Sequence, residues 1–181
     1  MNKKIVVLNG SPRVNGNTSH LVQAFTEVAK KAGHQVTCFT LQGMNIHPCL
    51  GCMRGGKDAN SPCVQKDDMD RIYAAYKDAD VVVLASPLYY WTIRGQLKCA
   101  FDRLFAVAES NADYANPQKE CALLMAAEGS DYEEVTFWYE RMLKYLNWTD
   151  KGRVLCGGVL NIGDIDGNAK LEEAYALGEQ L

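Results

Sequence analysis

The 181-residue chain lacks the features that would mark it for export, for a membrane or for a nucleic-acid backbone. Its longest unbroken apolar run, residues 121–127, falls far short of the ~20 residues of a spanning helix. After Lys3 and Lys4 the first apolar stretch covers only Ile5 to Leu8, and Asn9-Gly10-Ser11-Pro12 then breaks it, so it does not read as a signal peptide. Neither sign of charge dominates. Lys and Arg number 19 against 22 Asp and Glu, and a net charge of −3 excludes a polybasic nucleic-acid binder. With 5 Pro and 15 Gly, low-complexity and disordered compositions are excluded as well. Seven cysteines, an odd number at irregular spacing, do not make a disulfide framework. These absences predict a cytoplasmic protein with reduced thiols and no membrane or nucleic-acid partner.

What is present is an ordinary globular composition, 48% hydrophobic and 23% charged, expected to form a single domain over residues 1–181. Short β-branched runs alternate with helical stretches. Ile5 to Leu8 is a continuous apolar run, the mark of a strand buried on both faces. Residues 18–32 carry Leu21, Val22, Phe25, Val28, Ala29 and Ala32 at helical spacing, and Gly33 closes that helix. The pattern continues with strands at 36–41, 81–85, 121–127 and 154–160, and helices at 67–79, 95–107, 132–146 and 169–181. Alternating βα units imply an α/β fold: a doubly wound parallel sheet with helices on both faces. Ligands bind beyond the carboxyl ends of such strands, which directs attention to the loops at 9–18, 42–66, 86–95, 127–131 and 161–168.

The first of these, Asn9 to Ser19, offers Ser11, Arg13, Asn17, Thr18 and Ser19 where a helix begins. Unsatisfied backbone N–H groups and the helix dipole favour an anion at such a place. The spacing is neither a Walker loop nor a dinucleotide fingerprint. The competing reading is a plain helix cap by Asn17 or Thr18 behind a Ser-Pro turn. The third strand runs into Ser86-Pro87-Leu88-Tyr89-Tyr90-Trp91, which sets aromatic walls at the same sheet edge. These could line a flat ligand, pack the loop onto the core, or form a subunit interface.

Gly10-Ser11-Pro12-Arg13-x2-Gly16-Asn17-Thr18, followed by Ser86-Pro87-Leu88-Tyr89, resembles the flavodoxin-like NAD(P)H-dependent FMN reductases. The resemblance implies five parallel strands in the order 2-1-3-4-5. It implies FMN as cofactor, its phosphate held by Ser11, Arg13, Asn17, Thr18 and Ser19, and its ring flanked by Pro87, Leu88, Tyr89, Tyr90 and Trp91. Gly129, after the fourth strand, is placed beside the flavin by topology. NAD(P)H is the implied donor. The implied acceptor is a quinone, a nitro or azo compound, a metal ion or a redox partner protein. A homodimer or tetramer is the implied assembly. The rival function is a flavodoxin-type carrier that does not itself oxidise NAD(P)H. No catalytic side chain is named, since the flavin supplies the electron chemistry.

Residues 42–66 form a long connection holding Cys49, Cys52 and Cys63, which resembles the four-cysteine loop of the iron–sulfur flavoprotein branch with one ligand missing: Gly55 stands three residues after Cys52. Three readings stay open: a vestigial loop without metal, a zinc site completed by His47, and a redox-active Cys49–Cys52 pair. The loop's length also fits a lid over the substrate site. Cys38 is expected to point into the sheet packing, and Cys99, Cys121 and Cys156 to act as small buried hydrophobes. Asp102 and Arg103 read as a solvated or interface ion pair. Asp164 to Asn168 begins like a calcium loop but lacks the closing glutamate.

Overall fold

The computed structural model describes residues 2–181. Five strands form one parallel sheet: β1 (Lys4–Asn9), β2 (Gln35–Thr40), β3 (Val81–Tyr89), β5 (Glu120–Ala126) and β6 (Thr149–Cys156). A two-residue strand, β4 (Thr92–Ile93), turns back antiparallel on β3. The spatial order is β2-β1-β3-β5-β6, the expected 2-1-3-4-5 once the small hairpin strand is set aside.

The alternation along each central strand builds two separate cores. Val6, Leu8, Val82, Leu84, Leu123 and Met125 point to one face of the sheet. There they meet α2 (Met69–Asp78), α3 (Gly95–Arg103), α4 (Phe105–Ala108) and α5 (Glu133–Leu146). Ile5, Val7, Val81, Val83, Ala122 and Leu124 point to the other, covered by α1 (Asn17–Lys31) and α6 (Ala169–Glu179). Burying both faces is what makes these strands near-continuous apolar runs.

Several boundaries differ from the sequence reading. β6 spans Thr149–Cys156 and not 154–160, because its first half, Thr149 to Gly152, is the polar end of an edge strand and carries the irregularity opposite Cys121/Ala122. The helix expected over 95–107 is divided at Leu104 by a tighter turn, with Leu104 N–H bonded to the Phe101 carbonyl and Val107 N–H to Leu104. Phe105 is consequently turned outward, while Leu97, Ala100 and Leu104 are buried. Cys38 is exposed on the edge strand β2 and Cys99 is half-buried; only Cys121 and Cys156 are buried as expected. Burial pushes the Cys121 thiol up to about 12.

Arg103 departs furthest from expectation. It is not solvated: it is 1% exposed and pairs with Asp67, while Asp102 pairs with Lys98 at 2.6 Å. The His20 ring lies 3.2 Å from Asp166.

Candidate functional site

The carboxyl ends of β1, β3 and β5 open on a cleft of about 220 Å3. Ser11, Arg13, Asn17 and Thr18 line it from the first loop, and Pro87, Leu88 and Tyr89 line it from β3. Ala126 to Glu128 and Val159-Leu160 complete it from the loops after β5 and β6. Seven of the predicted site residues therefore share one cavity. Ser19, Tyr90, Trp91 and Gly129 do not line it, and neither does any residue of 42–66.

The first loop is shaped by its own polar groups. Asn9 Oδ1 accepts from the Ser11 N–H at 3.0 Å, and Asn9 Nδ2 donates to Ser19 Oγ at 3.3 Å. The Ser11 and Ser19 hydroxyls both donate to the Arg13 carbonyl, at 2.9 and 3.0 Å. These two serines thus curl the loop. The first intrahelical bond of α1 runs from His20 N–H to the Gly16 carbonyl, and no side chain caps the helix. Asn17, Thr18 and Ser19 therefore have no intrahelical acceptor for their N–H groups. Thr18 is buried, and Asn17 Oδ1 is buried with no partner while its Nδ2 donates to the Asn161 carbonyl at 2.9 Å. Arg13 Nη1 donates to the Leu160 carbonyl at 2.8 Å. An uncapped helix start with one cation beside it suits an anion.

The second wall is a hairpin that the sequence reading missed. Leu88 pairs with Ile93 and Tyr89 with Thr92, leaving Tyr90 and Trp91 as a two-residue turn. Both have positive φ, 47° and 59°, the pattern of a turn usually made by Asn-Gly. With no glycine or asparagine here, the turn carried no sequence signal. Its base is fixed by the buried Ser86, whose hydroxyl donates to the Pro87 carbonyl at 2.7 Å and accepts from Arg94 N–H at 2.8 Å. Its tip is tied to the loop after β5 by Trp91 Nε1 donating to Asp131 at 3.1 Å. Tyr90 projects freely, 93% exposed. Gly129 packs closely on Gly157, where any Cβ would lie 2.9 Å from the Gly129 carbonyl oxygen.

An anion socket facing an apolar and aromatic wall suits a phosphate-bearing planar ligand. The NADPH-dependent FMN reductase model matches residues 3–147, which contain every part of the site except Val159 and Leu160. The chain belongs to that family. It is a flavin-dependent oxidoreductase, and its cofactor is FMN. An iron-sulfur flavoprotein of Archaeoglobus fulgidus is 30% identical over 98% of this chain and 78% of its own length. The iron-sulfur flavoprotein MJ1083 of Methanocaldococcus jannaschii is 33% identical over 55% of this chain, and the match spans about half, 51%, of that protein. Among solved structures, an NAD(P)H:quinone oxidoreductase from Methanothermobacter marburgensis superposes with a TM-score of 0.73 at 22% identity. That match covers 99% of this chain and 96% of the other. It shows the shared fold.

A larger cavity of about 400 Å3 lies on the opposite core, walled by Phe101, Trp138, Met142 and Trp148. It shares no residue with the cleft. Among the described residues no helix is long and apolar enough to cross a membrane.

Proposed function

We propose that the cleft between the start of α1 and the β3–β4 hairpin seats FMN, and that the protein passes electrons from NAD(P)H to a small planar acceptor of the quinone class. Bound FMN supplies the hydride-accepting and electron-donating chemistry. The chain's own residues bind and orient. The Asn17, Thr18 and Ser19 N–H groups and Arg13 receive the phosphate, and Ser11 and Ser19 keep the loop curled around it. Pro87, Leu88 and Tyr89 flank the ring, with Ala126 to Glu128 opposite. Gly129, in the loop after β5, packs against Gly157.

The observation that carries this reading is the meeting of an uncapped helix start and an apolar wall in one cleft. At about 220 Å3 the cleft lies below the ~300–1,000 Å3 of enclosed ligand pockets, so FMN in it is only partly covered. The exposed Tyr90 and Trp91 beside it are the surface on which a second copy of the chain completes the enclosure, giving a homodimer. An acceptor then approaches the flavin from solvent, which favours small flat molecules over a buried relay.

The test compares FMN with riboflavin, which has no phosphate. Arg13→Ala removes a charge-assisted contact, expected to weaken FMN by roughly 10- to 100-fold and riboflavin by less than about twofold. Equal weakening of both ligands in fluorescence titrations would contradict the placement.

A further inference from the structure

The relatives are named for an iron–sulfur cluster, and the 42–66 segment is where the resemblance puts one. The donors present do not fit a cluster. Cys49, Cys52 and Cys63 do line one pocket, together with Gly55, Arg103 and Glu109, but it measures about 50 Å3, room for a few waters. A four-iron cluster of this type is held by four thiolates, and the third falls on Gly55. A side chain there must displace the Glu109 carboxylate. A Cβ on Gly55 would lie 2.2 Å from Glu109 Oε2 and 3.0 Å from the Pro62 carbonyl oxygen. The next residue is closed as well: Gly56 has φ +78°, and a Cβ on it would stand 2.0 Å from the Glu109 carbonyl oxygen. Glu109 thus occupies the space of the missing ligand. Among the described residues, no three His, Cys, Asp or Glu side chains converge as a metal site.

Something else closes the loop. The buried Arg103 donates from Nη1 to the His47 carbonyl at 3.1 Å and from Nη2 to the Gln65 carbonyl at 3.3 Å, and it pairs with the Asp67 carboxylate. Asp67 in turn accepts from the N–H groups of His47 and Met69, both at 3.1 Å. One guanidinium and one carboxylate therefore gather residues 47, 65, 67 and 69, the two ends of the segment, as bonds to a shared cluster would.

We infer that this chain is a cluster-free flavoprotein, in which the Arg103–Asp67 ion pair staples the 42–66 loop in the place a cluster would hold. The inference stands on the loop and not on the flavin site. Its consequence is that no cluster relays electrons from the flavin, so an acceptor must reach the cleft itself.

Two measurements test it. Anaerobic purification with iron and acid-labile sulfide assays is expected to find well under one iron per chain in the wild type and in Gly55→Cys, whose new side chain meets Glu109. About four iron atoms per chain with matching sulfide in the wild type would overturn the inference. For the staple, Asp67→Asn is expected to keep its far-ultraviolet dichroism while cleavage within 42–66 by limited proteolysis becomes at least roughly tenfold faster. Unchanged cleavage would overturn that half.

Discussion

Tyr90 and Trp91 occupy left-handed backbone conformations, φ 47° and 59°, that side chains of their size avoid. Each costs on the order of 1 kcal/mol, and nothing within the chain repays Tyr90, which is 93% exposed. The two-residue hairpin turn requires these angles and leaves Tyr90 exposed beside the cleft, where it can meet a second surface. Replacing Tyr90 by glycine relieves the strain and removes the contact together. Light scattering should therefore report the wild type as a dimer of the 20.1 kDa chain and Tyr90→Gly shifted toward monomer, without loss of thermal stability. A monomeric wild type at micromolar concentration, or a variant that melts lower and still dimerises, would contradict this. Residue chemistry was only partly legible beforehand. Ser11, Arg13, Asn17 and Thr18 could be picked out because a donor-rich loop ahead of a helix has few uses. Arg103 could not, since a charged side chain reads as surface unless its partner is known, and Asp67 lies 36 positions away.

At the scale of elements, the two ends of the segment between β2 and α2 meet at the buried Arg103–Asp67 pair, beside the Asn45–Asp68 and Gln65–Pro48 bonds, so the segment should answer to the state of the Asp67 carboxyl group. Burial alone would raise the Asp67 pKa, but the Arg103 guanidinium and the His47 and Met69 N–H groups hold it below the usual carboxylate range. A carboxyl group depressed in the folded state stabilises it above the unfolded pKa near ~3.9, and that contribution is lost as pH falls through the lower folded value. Hydrogen exchange at the loop amides should therefore stay protected, relative to intrinsic rates, down to about pH 4 and lose protection below it. Loosening already at pH 6, or no change in strong acid, would contradict the staple. The central strands were legible because burial on both faces leaves only apolar residues in Ile5–Leu8 and Val81–Leu84. β6 was misplaced because an edge strand needs no such run, and β4 was missed because two residues carry no period at all.

For the whole molecule, sheet order, two-sided core and first-loop cleft agree on a flavin oxidoreductase. The parallel sheet followed from βα alternation and its strand order from a resemblance; the far wall of the cleft, Val159 and Leu160, did not, because it depends on how the loop after β6 folds back. That loop is set by Asp164, which accepts from the Leu160 and Asn161 N–H groups at 2.9 and 2.7 Å. The central claim is that this chain itself oxidises NAD(P)H through bound FMN. Its most direct test is an anaerobic titration of the purified holoprotein with NADPH and with NADH, followed at the visible flavin bands. The account predicts oxidised flavin bands that bleach with about one equivalent of at least one nucleotide and return on addition of a quinone. Bands that persist in excess of both nucleotides would make the protein a carrier reduced by a partner, and a preparation with no affinity for FMN would contradict the account altogether.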